Sequence, residues 1–389
     1  MTSSGVSTEP RRSELLVVAG ESSGDRAAAA VIARLPKDVR VFGMGGGAVL
    51  AEGVEMVADL RDVTAMGVAE VARRALAVAR AYALLRAAAA KRRPAAALLV
   101  NYTEFNARLA ETLWSSGTRV LWYGAPQVWA WRSKRAQPLR RHLDRLAVML
   151  PFEEPLWRRL GVDAHYVGHP ALEDRCEDRV SAREMLGMTP RAWGVAILPG
   201  SRPHEVRRLL GPMLASFEKV RREHASVDAR VLLAPSLDAA THTWARQKTL
   251  AAHVDVVDID ARAGMGYALP AFDAALCASG TASLECALAR VVPVVCYRVG
   301  LAAELGARMF VKTPDIALPN ILIGRRAFPE LVQRAASAAR MSEELTKVLE
   351  ERDSFLGACD EVEAAFGGKT SASLEVARML EPWLRTRAA

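Results

Sequence analysis

A chain of 389 residues is long enough for two domains of ordinary size, and 51% apolar with 25% charged residues is the balance of a globular protein. That balance excludes a disordered or fibrous chain. The net charge of +8 suits an anionic membrane surface or a phosphate-bearing substrate. No aromatic-plus-basic RNA platform is recognisable, so nucleic acid is not an expected partner.

The chain opens MTSSGVSTEPRRSELLVVAG. Its apolar run Leu15–Ala19 is too short for a secretory h-region and is followed by no small-residue cleavage site, so it reads as a first buried strand. Val39–Gly43, Ala96–Val100, Val120–Tyr123 and Leu146–Leu150 read as the further strands of a first half. Arg26–Leu35, Val68–Lys91 and Phe105–Ser115 read as the helices between them. The alternation restarts with strands at Gly194–Leu198, Arg230–Ala234, Val254–Ile259, Ala274–Ala278 and Val292–Tyr297. Its helices are expected at Glu205–Glu223, Ala239–Ala252 and Ala282–Ala289. Strand–helix–strand alternation predicts parallel sheets covered on both faces, hence an α/β protein of two doubly wound domains. The polar, turn-rich segment Gly168–Pro190 marks the boundary. The expected domains are residues 1–172 and 173–364, with a C-terminal helix at about 365–389 that either caps the second or crosses back to the first. Residues from Ser342 to Leu384 read as amphipathic helix. No stretch approaches the roughly 18 uninterrupted apolar residues of a membrane span, so any membrane contact is expected to be peripheral.

Five cysteines, at 176, 277, 286, 296 and 359, form no CxxC pair and read as reduced, buried thiols of a cytoplasmic protein. No His/Cys cluster has zinc-site spacing. Basic residues are densest at Arg132, Lys134, Arg135, Arg140, Arg141 and Arg145.

Four small-residue loops follow strands and open helices, where tight turns and helix N-termini favour anions or hydroxyls. Gly20-Glu21-Ser22-Ser23-Gly24-Asp25 is neither a GxGxxG nor a Walker loop. Its two carboxylates suit sugar hydroxyls or proton transfer better than phosphate, unless Ser23 or Asp25 simply caps the helix. Gly43-Met44-Gly45-Gly46-Gly47 resembles a phosphate cradle but equally a flexible turn. In Leu198-Pro199-Gly200-Ser201-Arg202, Gly200 frees the backbone, Ser201 offers a hydroxyl and Arg202 can fork onto phosphate oxygens. In Ala278-Ser279-Gly280-Thr281, backbone and hydroxyl groups can donate to phosphate, and Glu285 one turn on can accept ribose hydroxyls. Each of these two also reads as a surface turn with a solvated charge. Trp129 and Trp131, beside Arg132, read either as core aromatics or as a binding loop; His169 reads as structural or catalytic.

The serial order of AGESSGD, GMGGG, MGVAEV, PQVWAWR, LPFE, VGHP, LPGSR, ASGTASLE and LPNILIGR resembles the lipid-A-disaccharide synthases over about residues 15–335. The resemblance implies a GT-B fold, two Rossmann-like domains facing a central cleft. It implies inverting transfer of 2,3-diacylglucosamine from its UDP derivative to 2,3-diacylglucosamine 1-phosphate at the cytoplasmic face of the inner membrane. Gly200, Ser201, Arg202, Ser279, Gly280, Thr281, Glu285 and Asn320 would then hold the donor. Glu21, Ser23 and Gly24, with Trp129, Trp131 and Arg132, would face the acceptor. Met66, in the segment Met66-Gly67-Val68, would lie near acyl chains or the bilayer. No metal and no cofactor are expected. The expected partners are the two sugar substrates, an anionic membrane surface and a second copy of the chain in a homodimer.

Two loops on the acceptor side depart from the family, one of them Tyr123-Gly124-Ala125-Pro126 where its members tend to have Val-Ser-Pro. In the other, where its members typically read Gly-Ile-Asp-Ala-Pro-Asp-Phe-Asn, this chain has Leu99-Val100-Asn101-Tyr102-Thr103-Glu104-Phe105-Asn106. Asn101 cannot take a proton from the acceptor hydroxyl; Glu104 can, with Asp25 as the other candidate base. The catalytic set expected is therefore Glu104, Asp25 and Asn101. The departure also leaves two other readings: a related UDP-sugar enzyme, with a different lipid acceptor or epimerase activity, and a non-catalytic binder of nucleotide sugars or lipids.

Overall fold

The computed structural model describes residues 13–59, 70–126, 136–173, 178–298 and 315–385. They divide into two compact units. The first contains strands β1 (Glu14–Ala19), β2 (Arg40–Gly45), β3 (Glu55–Asp59), β4 (Ala96–Val100), β5 (Arg119–Tyr123), β6 (Arg145–Val148) and β7 (Ala164–Tyr166). All neighbours are parallel, in the order β3-β2-β1-β4-β5-β6-β7. Helices α1 (Ser22–Ile32), α2 (Gly47–Ala51), α3 (Glu70–Arg92), α4 (Thr103–Ser115), α5 (Ala136–His142) and α6 (Glu153–Arg159) connect them. Every residue of β4 is buried, as expected for a central parallel strand covered on both faces.

The second unit repeats the plan. Its strands are β8 (Trp193–Leu198), β9 (Val227–Leu233), β10 (Asp255–Asp258), β11 (Ala274–Ala278), β12 (Val292–Tyr297) and β13 (Glu330–Val332), ordered β10-β9-β8-β11-β12-β13. Its helices are α7 (Arg179–Met185), α8 (Pro203–Glu223), α9 (Ala239–Leu250), α10 (Thr281–Leu288), α11 (Leu318–Ile323), α12 (Ala338–Glu350) and α13 (Arg352–Ala364). The last helix, α14 (Ala372–Leu384), belongs to the first unit. It buries Ala372, Val376, Ala377, Leu380 and Leu384 in one cluster with Ala27, Ala28 and Val31 of α1. Arg145 holds it further by donating to Met379 O at 2.8 Å and lying over the Trp383 ring.

In both sheets the connections run outward in opposite directions from a central pair, β1/β4 in the first and β8/β11 in the second. That reversal opens a crevice at the carboxyl ends of the central pair, where ligands bind in this class. The loops after β1 and β4 flank one such point, and the loops after β8 and β11 flank the other.

The segment Gly168–Pro190, expected as a turn-rich boundary, contains α7. Asp178 caps it by accepting from Val180 N and Ser181 N. Arg183 is buried and Arg179 exposed, and both bind Asp273, which also accepts from Gly194 N at 2.8 Å. Cys277, Cys286, Cys296 and Cys359 are free and buried; Cys176 lies outside the described residues.

Candidate functional site

In the first unit the loop after β1 leaves Glu21 exposed, Ser22 and Ser23 half-buried, and Gly24 and Asp25 buried. Neither Ser23 nor Asp25 caps α1, which starts at Ser22 after Glu21 without a side-chain cap. Asp25 reaches the second glycine loop instead. Its carboxylate accepts from Gly46 N at 2.6 Å, Ala48 N at 2.9 Å and Val49 N at 3.3 Å, and so caps α2. Gly43–Gly47 is therefore ordered by a carboxylate of the neighbouring loop, and Asp25 is engaged there by three main-chain donors.

The altered loop after β4 is the strained part of this crevice. Asn101 and Tyr102 adopt consecutive left-handed conformations, φ 50° and 46°. That is costly for a bulky residue and persists only where packing enforces it. The enforcement is visible. Asn106 Nδ2 donates to Asn101 O at 2.9 Å and Val100 O at 3.3 Å. The Tyr102 ring stacks on Phe105 and lies against Gly20, where a Cβ would come within 2.1 Å of it. The Asn101 side chain packs against Gly24 and Gly124. Glu104 follows in the first turn of α4, exposed to solvent. The structure thus brings Gly24, Asp25, Asn101 and Glu104 to one switch point. Met66, Trp129, Trp131 and Arg132 lie outside the described residues.

In the second unit the loop after β8 turns through Gly200, at φ 120°, into α8. Ser201 N and Arg202 N both donate to Glu205 Oε2 at 3.2 Å, and Arg202 Nη1 donates to Glu205 Oε1 at 3.3 Å. Ser236 Oγ donates to Ser201 O at 3.2 Å. Tyr297, at the end of β12, has its phenol pushed up by burial; nearby Glu205 adds to the rise and Arg202 opposes it. Across the switch point, Gly280 precedes Thr281 at the start of α10 with φ 149°. Glu285 is buried in the wall of a cavity of about 150 Å³ with Gly266, Leu269, Leu288 and Glu363.

Two expected donor contacts change their role. Ser279 N donates to Cys296 O and its Oγ to Ile316 O at 2.9 Å, so both donors are spent within the protein. Asn320 is fully buried. Its Nδ2 donates to Phe328 O and Glu330 Oε1, and its Oδ1 accepts from Ala327 N and Phe328 N. Both hydrogens and both lone pairs are occupied. Glu330 also accepts from Ile316 N and Ala317 N. Ser279, Asn320 and Glu330 therefore hold residues 316–317 beside the loop rather than offering donors to a ligand. His169, buried, accepts from Ala171 N through Nδ1 and packs against Phe366.

Sequence reading missed Glu205, Tyr297 and Glu330. The spacing of Glu205, three residues beyond the helix-initiating Arg202, is that of a capping box and is a readable signal. Tyr297 and Glu330 carry none, because only the sheet order brings them to the loops. Among the described residues no three His, Cys, Asp or Glu side chains are grouped to hold a metal ion.

A family model described as lipid-A-disaccharide synthetase matches residues 15–369. A lipid-A-disaccharide synthase of Anaeromyxobacter dehalogenans (strain 2CP-C) is 40% identical over 373 residues, 94% of this chain and 96% of that one. One of Myxococcus xanthus is 40% identical over 346 residues, 88% of each. Among solved structures, a UDP-GlcNAc 2-epimerase from Neisseria meningitidis bound to UDP-GlcNAc superposes with a TM-score of 0.64 at 11% identity. It covers 95% of this chain and 100% of that one, a likeness of fold alone.

Proposed function

The chain belongs to the lipid-A-disaccharide synthase family, and we propose that it transfers 2,3-diacylglucosamine from UDP-2,3-diacylglucosamine to 2,3-diacylglucosamine 1-phosphate. The products are the β-1,6-linked disaccharide 1-phosphate of lipid A and UDP. The observation that carries this reading is the family match over residues 15–369. It favours disaccharide synthesis over the epimerase alternative, which has only the shared fold behind it.

The transfer is a single displacement. The acceptor 6-hydroxyl oxygen attacks C1 of the donor sugar, the C1–O bond to UDP breaks with its electron pair leaving on the diphosphate, and configuration inverts. A base must take the hydroxyl proton. Glu104 is the group we assign: it stands exposed at the first-unit switch point, whereas Asp25 is engaged by three main-chain N–H groups and Asn101 cannot accept a proton at its amide nitrogen. Asp25 and Asn101 then shape the loops on either side. Charge growing on the diphosphate is met by the Gly200–Arg202 loop and the N-terminus of α10, which flank the second switch point. We assign Glu285, buried one turn into α10, to the ribose hydroxyls of the nucleoside. Ser279 and Asn320 serve the same half by holding residues 316–317.

The acyl chains of both substrates call for a membrane surface. No helix among the described residues is long and apolar enough to cross one. Leu76 and Leu84 stand 70% and 42% exposed on α3 among Arg80, Arg86 and Lys91, the mixture that suits peripheral contact with anionic lipid.

The test is UDP release by the purified protein given the donor, with and without the acceptor. Acceptor-dependent release together with a disaccharide phosphate is the expected result. Donor binding with no acceptor-dependent release would overturn it.

A further inference from the structure

The donors that a diphosphate would need from the loop after β8 converge on one side chain of the protein itself. Ser201 N, Arg202 N and the Arg202 guanidinium all donate to the Glu205 carboxylate. The carboxylate is not a loose surface charge, because its side chain is only 12% exposed while that of Arg202 is 56% exposed. It curls over Gly200, where a Cβ would lie 2.5 Å from Glu205 Oε2. Gly200 is thus required for this arrangement through both its left-handed φ and its missing side chain.

A carboxylate on a set of main-chain and guanidinium donors occupies the place of an anion. A phosphate brought to the same donors meets a like charge and has to share or take them. We propose that Glu205 is a built-in competitor for the diphosphate of the donor: its carboxylate leaves Ser201 N and Arg202 N as the diphosphate is held, and returns as UDP departs. The residue thereby sets donor affinity below what the loop could reach and favours release of the product. The inference rests on the assignment of this loop to the diphosphate under the proposed function.

Glu205→Gln removes the charge and keeps the length. Isothermal titration of UDP and of uridine into the full chain and this variant separates the two groups of a nucleotide ligand. We expect the Kd for UDP to fall at least about fivefold, the loss of one close like charge. The Kd for uridine, which has no phosphate, is expected to change by less than about twofold. A variant that melts like the parent but binds UDP equally or more weakly overturns the proposal. So does a parallel gain for uridine. Should the variant fail to fold, a crystal structure of the parent with UDP decides: phosphate oxygens on Ser201 N and Arg202 N with Glu205 displaced support the exchange, and Glu205 retained on both N–H groups overturns it. A parent that does not bind UDP removes the assignment of the loop itself; a parent that binds UDP with Glu205 in place removes only this inference.

Discussion

Residue types at the two switch points suggest chemistry, but the hydrogen bonds each residue has left decide what it can do. Arg202 retains an exposed guanidinium paired with Glu205 at 3.3 Å. Arg202→Ala removes a charge-assisted phosphate contact and is expected to cost about 2 kcal/mol of transition-state stabilisation, roughly 30-fold in kcat/KM. Steady-state rates with the UDP-linked donor check it, and near-normal kcat/KM would move the diphosphate elsewhere. Glu104→Gln is expected to abolish turnover while leaving the Kd for UDP unchanged; retained activity would pass the base to another group. The same accounting explains what the sequence could not convey. Ser279 and Asn320 are the right types for phosphate or sugar contacts, yet their donors end on Ile316 O, Phe328 O and Glu330. Asp25 is the right type for a base, yet its carboxylate already accepts from Gly46 N, Ala48 N and Val49 N. A motif states which atoms a side chain carries, and the fold states which of them remain available.

At the scale of elements, the central strands were legible because burial on both faces writes a continuous apolar run, as in Ala96–Val100 and Ala274–Ala278. The edge strands β3, β7 and β13 were not: three to five residues, partly exposed, carry no such run. Helix α7 was hidden by its own function. Arg179 and Arg183 look like a solvated linker, but the structure turns them onto Asp273. Arg183 is buried, and burial draws its guanidinium below the usual arginine value while Asp273 opposes the fall. Asp273→Ala strands that cation among the carbonyls of Ala271, Thr189 and Pro190 and is expected to destabilise the chain by about 3–5 kcal/mol. Urea unfolding measures this, and a loss under about 1 kcal/mol would mean that the carbonyls suffice. The thiols give a pH signature to the same unit. Burial pushes Cys359 up to about 11 and Cys296 up to about 12. The unfolded chain releases these protons near pH 8.5 while the folded chain keeps them, so their stabilising contribution is full below about pH 8.5 and is lost as pH rises through the folded values. Denaturation midpoints taken between pH 8 and 10.5 should therefore fall less steeply for Cys359→Ala than for the parent; equal slopes would show that the thiol titrates freely.

For the whole molecule, the order of the chain and the order of its cores differ. The alternation of strands and helices predicted two doubly wound α/β units, and the motif order predicted the family, because both are written locally along the chain. Where the last helix packs depends instead on which core it completes. The apolar positions of α14, at 372, 376, 377, 380 and 384, bury against α1, which begins 350 residues earlier at Ser22. The first unit is therefore built from both ends of the chain, and the contacts that complete it form between its most distant segments. Removing residues 372–389 exposes the α1 face made by Ala27, Ala28 and Val31 and forfeits burial of Val376, Leu380 and Leu384. At about 1.5–3 kcal/mol for each large apolar side chain, the loss is about 4.5–9 kcal/mol and falls on the first unit. The second unit keeps its own cluster, from Ala182 to Ala317, which includes no described residue of α14. Limited proteolysis of the truncated chain should accordingly cleave within residues 13–167 while leaving a fragment that spans Arg179–Ala364. UDP binding, assigned to that fragment, should survive when disaccharide formation is gone. Simultaneous loss of both units would show instead that the second unit depends on the first for its stability.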